Sequence, residues 1–206
     1  RKQNKIYSLK CSSHDGELNE HNKKLFAKYD QIQQSETAAE VFMCDDAEYV
    51  ICGYGTSARV GKKAVKMLRE MGIKAGLFRP ITLWPFPQNE LENACKNAKT
   101  IIVGDRQDSY GAGGGNLSLE LRAMLQEKQV PCRVIARVYG LGGKDFYEKD
   151  ARELLLLGYE KQVKKFDYTG VYPGNPAYQT PKYFEPVTGE MPMQKRLAPG
   201  HGACPG

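Results

Sequence analysis

The chain has 206 residues, 41% of them hydrophobic and 26% charged, with a formal net charge of +6. This is the composition of an ordinary globular domain, long enough for one buried core with an appended arm. It excludes a spanning helix, since no apolar run approaches roughly 18 residues, and its charge is scattered in doublets such as Lys62-Lys63 and Lys164-Lys165, which fits solvated faces rather than a nucleic-acid surface.

Residues 1–16 are polar and irregular, with no charged-then-apolar leader, and a start at Arg1 without methionine reads as a piece of a longer polypeptide. From Glu17 to about Met43, Leu18, Leu25, Tyr29, Ile32 and Val41 fall at helical spacing and predict one or two helices. A repeating pattern follows. "AEYVICGYG" suits a buried strand, and "SARVGKKAVKMLREMG" a helix with Val60, Ala64, Val65 and Leu68 on one face and Gly72 as its stop. "IKAGLFRP" reads as a second strand closed by proline, "PQNELENACKNA" as a short helix, "TIIVGD" as a third strand, "NLSLELRAMLQEK" as a helix and "CRVIARVYG" as a fourth strand. A charged helix is predicted from about Tyr147 to Lys164.

Strands alternating with helices predict an α/β fold, a parallel sheet covered on both faces, with function gathered at the carboxyl ends of the strands. Those ends read "GYGTSA", "RPITLWPFP", "DRQDSYGAGGG" and "YGLGGKD". The expected division is an N-terminal segment and helix over 1–46, the α/β domain over 47–166, and an extended proline-rich arm over 167–206.

Gly53-Tyr54-Gly55-Thr56-Ser57-Ala58 fits G-x-G-x-x-G/A at a strand-to-helix turn. It reads either as a pyrophosphate cradle, with Arg79 facing a 2′-phosphate, or as a tight turn whose Thr56 or Ser57 caps the helix. Gly113 and Gly114 lie in a glycine run that suits an anion-binding nest or a loop packed on another chain. Asp105-Arg106 is expected to form a local ion pair shaping that loop. Trp84-Pro85-Phe86-Pro87 makes a rigid apolar knuckle, and Trp84, Phe86 and Arg106 are the interface candidates. No Ser/His/Asp arrangement or paired histidine at metal-ligand spacing occurs; His14 and His21 take solvent or structural roles. The six cysteines form no C-x-x-C within the chain and read as reduced cytosolic thiols, with Cys204 set apart. No catalytic residue is assigned.

Together, "YVICGYGTSARVGKKAVKMLREMGIKAGLFRPITLWPFP", "VGDRQDSYGAGGGNLSLELRAML" and "YGLGGKDF" resemble the second domain of the alpha subunit of 2-oxoacid:ferredoxin oxidoreductases, over roughly Ala47 to Phe146. "DR" with "GLGGKD" looks most like the pyruvate enzymes and less like the branched-chain ones. The resemblance implies a three-layer domain like the carboxy-terminal domain of transketolase, with a mostly parallel sheet of about five strands, only four of which are located in the sequence. It implies a parent enzyme converting a 2-oxoacid, coenzyme A and oxidised ferredoxin to acyl-coenzyme A, carbon dioxide and reduced ferredoxin. That parent uses thiamine diphosphate, magnesium and iron–sulfur (4Fe-4S) clusters, and this domain supplies scaffold and subunit contacts. Its implied partners are a pyrimidine-binding domain and beta, gamma and delta units, in the cytoplasm, with neither nucleic acid nor membrane involved. "PGHGACPG" resembles the entry of the beta unit, so Cys204 is expected to be the first cluster ligand of the parent, the second following Gly206. No cofactor is expected in this piece by itself.

Overall fold

The computed structural model describes residues 17–160 and 163–169. The elements in chain order are α1 (Glu17–Glu36), β1 (Ala39–Phe42), β2 (Tyr49–Cys52), α2 (Thr56–Glu70), β3 (Ala75–Pro80), α3 (Gln88–Cys95), β4 (Thr100–Asp105), α4 (Asn116–Glu127), β5 (Arg133–Val138), α5 (Glu148–Leu156) and β6 (Phe166–Tyr168). The strands form one mixed, mostly parallel sheet in the order β1-β3-β2-β4-β5-β6. Every pairing is parallel except β1 with β3.

The two central strands are buried along their whole length. Their side chains alternate between two cores, so an unbroken apolar run is what a strand covered on both faces requires. On one face Val50, Cys52, Ile101 and Val103 pack with Leu91 of α3 and Leu121 and Leu125 of α4. On the other, Ile51, Leu77, Ile102 and Ile135 pack with Ala64, Val65 and Leu68 of α2 and Leu154 and Leu155 of α5. Three layers result, as the sequence predicts. In α2 the buried set Ala58, Gly61, Ala64, Val65 and Leu68 follows the helical period. Gly72, at φ +81°, ends the helix in the left-handed conformation and donates its N–H to the Arg69 carbonyl at 2.9 Å. Arg69 then fastens this corner: Nε donates to the Ala75 carbonyl at 2.7 Å, Nη2 to the Met43 carbonyl at 2.7 Å, and the guanidinium grips Asp46.

The structure corrects the expected elements at both margins. The helix predicted to run to about Met43 stops at Glu36, and residues 39–42 form an antiparallel edge strand in the register Ala39↔Pro80 to Phe42↔Leu77. Val41, assigned to a helical face, is exposed, while Phe42 packs toward α2. The alternation of a four-residue strand is too short to outvote a helical reading. The charged helix predicted to Lys164 ends at Leu156 and tightens into a 3-10 turn at Leu157–Tyr159. That turn brings Tyr159 onto Tyr49, ring centroids 4.2 Å apart, and a side chain at Gly158 would stand 2.3 Å from the Tyr49 ring. A sixth strand, β6, then pairs in parallel with β5 where the sequence reads as the start of the arm. Arg137 holds it there, its buried guanidinium donating to the Lys164 carbonyl at 3.0 Å. Cys44, Cys52, Cys95 and Cys132 are free thiols, and burial pushes Cys44 up to about 11. Cys11, His14, His201 and Cys204 lie outside the described residues.

Candidate functional site

The turns following β2, β3, β4 and β5 meet along one rim. Strand order reverses between β2 and β4, because the chain moves outward to β3 and then returns to the other side of β2. In parallel α/β sheets such a reversal opens a crevice beyond the strand ends. A groove of about 610 Å³ lies there, walled by Tyr54, Leu83 and Trp84, floored by Phe86 and Leu117, with Glu120 on its margin.

The structure separates the two aromatic interface candidates of the knuckle. Phe86 is 2% exposed and packs in the core against Phe78, centroids 6.1 Å apart. Trp84, joined to Pro85 by a cis peptide, is 80% exposed. A buried anchor thus presents an outward-facing indole. The third candidate, Arg106, stands apart from the groove against the turn after β5, where a side chain at Gly140 would lie 3.1 Å from its Nε.

Asp105 and Arg106 form no ion pair among the described residues, which corrects the expectation for this dipeptide. Adjacent residues at a strand end point to opposite sides. Asp105 turns inward and accepts hydrogen bonds from the Leu117 and Ser118 N–H groups, each at 3.1 Å, at the amino end of α4. Ser118 Oγ donates to the Gly115 carbonyl at 2.8 Å, and Arg122 Nη1 donates to the Gly113 carbonyl at 3.0 Å. The positive end of the helix and two of its free donors are therefore satisfied by the chain's own carboxylate. Gly113 and Gly114, at φ +71° and +153°, let the loop double back onto this cap.

Burial pushes the Asp105 carboxyl above its ordinary range, against the opposing pull of the Ser118 and Leu117 N–H groups. A carboxyl raised on folding holds its proton more firmly in the folded state. Its contribution is then greatest below the unfolded value near ~3.9 and is lost as pH rises through the folded value. Urea unfolding of wild type and Asp105→Asn from about pH 3 to 6 should show the stability difference, wild type minus variant, falling with pH. Carboxylates held low, such as Glu40 beside Lys62, act equally in both proteins and cancel. A difference that climbs with pH would overturn this assignment.

At the G-x-G turn, Gly55 is the residue before α2, at φ +65° and ψ −136°, and no side chain caps the helix. This corrects the expected cap: Ser57 Oγ donates backward to the Tyr54 carbonyl at 2.8 Å, and Thr56 is the first helical residue. Behind Gly53, Ser57 and Gly104 the remaining void is about 10 Å³, filled on its far side by Tyr139 and Phe146, centroids 4.5 Å apart. Arg79, named for a 2′-phosphate, pairs with Glu40 at 3.2 Å. Among the described residues no group of three or more His, Cys, Asp or Glu side chains is placed to hold a metal ion. Tyr54, Glu120 and the contact between Tyr168 and Asp108 escape a sequence reading, since each depends on which strands are neighbours.

Residues 47–151, just over half of the chain, match the family model for pyruvate:ferredoxin oxidoreductase core domain II. The chain belongs to this domain II family. Among curated relatives it is 44% identical to ketoisovalerate oxidoreductase subunit VorB of Methanothermobacter marburgensis, over 54% of this chain and 36% of that protein. It is 34% identical to pyruvate synthase subunit PorA of Methanosarcina barkeri, over 63% of this chain and 31% of that protein. The domain II chain thus spans about a third of the length of such relatives. In fold it is similar to the 2-oxoglutarate:ferredoxin oxidoreductase of Magnetococcus marinus, with TM-score 0.56 and 17% identity, over 72% of this chain and 24% of that one. The family match takes in β2 through the start of α5, and so every turn of the rim.

Proposed function

We propose that this chain is the scaffold and contact domain of a thiamine-dependent 2-oxoacid:ferredoxin oxidoreductase, with pyruvate as the 2-oxoacid. The observation that carries the reading is the domain II match across the whole rim, combined with an indole held outward on a buried anchor. Three polar side chains of the rim are spent internally: Asp105 on α4, Arg79 on Glu40 and Ser57 on the Tyr54 carbonyl. Outward on the same rim stand the rings of Tyr54, Trp84 and Tyr110, which suit protein contact. Thiamine diphosphate and magnesium belong to the pyrimidine-binding domain and the beta unit. Gamma and delta units, ferredoxin and coenzyme A meet the assembled enzyme in the cytoplasm. Cys204 is read as one ligand of a 4Fe-4S cluster completed by residues of the beta unit. No described helix is long and apolar enough to cross a membrane.

A branched-chain 2-oxoacid is the second reading, favoured by the 44% identity to a ketoisovalerate oxidoreductase subunit. The complete reading frame, assembled with its companion units, should reduce viologen dye when given a 2-oxoacid and coenzyme A together. Pyruvate against 3-methyl-2-oxobutanoate then decides the substrate. Turnover of neither would overturn the proposal, as would micromolar binding of a dinucleotide by this chain in calorimetry.

A further inference from the structure

The groove beside Trp84 leaves unexplained what covers it, and the path of the chain supplies an occupant. β6 runs parallel to β5, so the chain leaves the sheet at the same rim that bears the groove. Thr169 N–H still donates to the Val138 carbonyl at 2.8 Å, which fixes the exit point. Beside it, Tyr168 Oη hydrogen-bonds the Asp108 carboxylate, and Asp108 directly follows Gln107, a residue of the groove wall. The exit is thereby tied to the loop that forms one margin of the groove.

Distance and composition agree with this route. β6 lies two strands from β4 and three from β2, about 10–15 Å at the usual strand spacing. Extended chain advances about 3.3 Å per residue, so the six residues 170–175 reach across it. Next comes "PAYQTPKYFEP", residues 176–186, which carries three prolines, two tyrosines and a phenylalanine. Proline-rich segments dock well in aromatic-lined grooves, because proline has already restricted the backbone and little entropy remains to be lost. The groove offers Tyr54 and Trp84 as stacking faces, and the carboxylate of Glu120 at its margin is opposite in sign to the Lys182 side chain of this segment. We propose that residues 176–186 of this chain's own arm occupy the Trp84 groove. This holds whatever reaction the parent enzyme performs.

Trp84 is the only tryptophan in the chain, so its fluorescence reports the groove directly. Acrylamide quenching is compared between the 206-residue chain and a chain shortened after Gly170, with the peptide 171–190 added in trans to the shorter one. The expected result is severalfold lower quenching in the longer chain and saturable protection of the shorter chain by the peptide. Glu120→Lys in the longer chain should raise quenching toward the shortened value. A second variant, Tyr178→Ser with Tyr183→Ser and Phe184→Ser, leaves the length of the arm intact and should do the same. Equal quenching in both chains with no response to peptide would overturn the proposal. So would protection that grows with protein concentration, which would place a second copy in the groove, or protection that survives the triple substitution.

Discussion

Phe86→Ala should destabilise this domain by about 3–5 kcal/mol, the usual cost of removing a buried phenylalanine. Trp84→Ala, two residues away, should change stability by less than about 0.5 kcal/mol. Both are aromatic and both lie beside proline, so composition does not distinguish them. Burial does: Phe86 fills the space between Phe78, α3 and α4, while the indole of Trp84 faces solvent. Alanine at 86 leaves a cavity at the base of the β3–α3 turn that the rigid proline-flanked backbone has little freedom to close. Alanine at 84 removes only outward surface. Urea unfolding of both variants in a chain shortened after Gly170 makes the comparison, so that the arm contributes nothing. Similar losses for the two would show that Trp84 is part of the core.

Gly115→Ala is expected to cost about 2–4 kcal/mol through crowding and lost hydrogen bonds together. The backbone there, φ −76° and ψ 171°, is open to any residue, so conformational strain plays no part. Space decides the outcome. A Cβ at this position would stand 2.4 Å from the Cβ and Cγ of Asp105 and 2.5 Å from the Gln107 carbonyl oxygen. α4 would have to withdraw from the strand end, and both N–H groups capped by Asp105 would lose their acceptor. Thermal unfolding monitored by circular dichroism tests this, with Gly111→Ala as the contrast. Gly111 has empty space around it, so its cost comes from a left-handed φ of +83° and should be about 1 kcal/mol. Equal losses at the two positions would mean that crowding against Asp105 is not what demands glycine at 115.

The sequence reading succeeded where one kind of residue repeats with one period. β2 and β4 are apolar runs between turns, and the buried face of α2 keeps helical spacing for about three turns. It failed where identity comes from neighbours. β1 is a half-buried edge strand whose partner lies far along the chain, and β6 is three residues held by a buried arginine. Asp105 illustrates the same limit within the site. Its nearest basic residue in sequence is Arg106, yet its partners are two amides brought in by a helix twelve residues later. A motif shows that a rim is glycine-rich; only packing shows that the glycines make room for a carboxylate.

The antiparallel setting of β1 has a further consequence. Ala39 pairs with Pro80 and Tyr168 with Val138, so the polypeptide path enters this unit and departs from it on one and the same side. Entry and departure are separated by five strand intervals, about 24 Å. A unit wired in this way can be spliced into a longer polypeptide, or excised from one, without threading any segment beneath the helical layers.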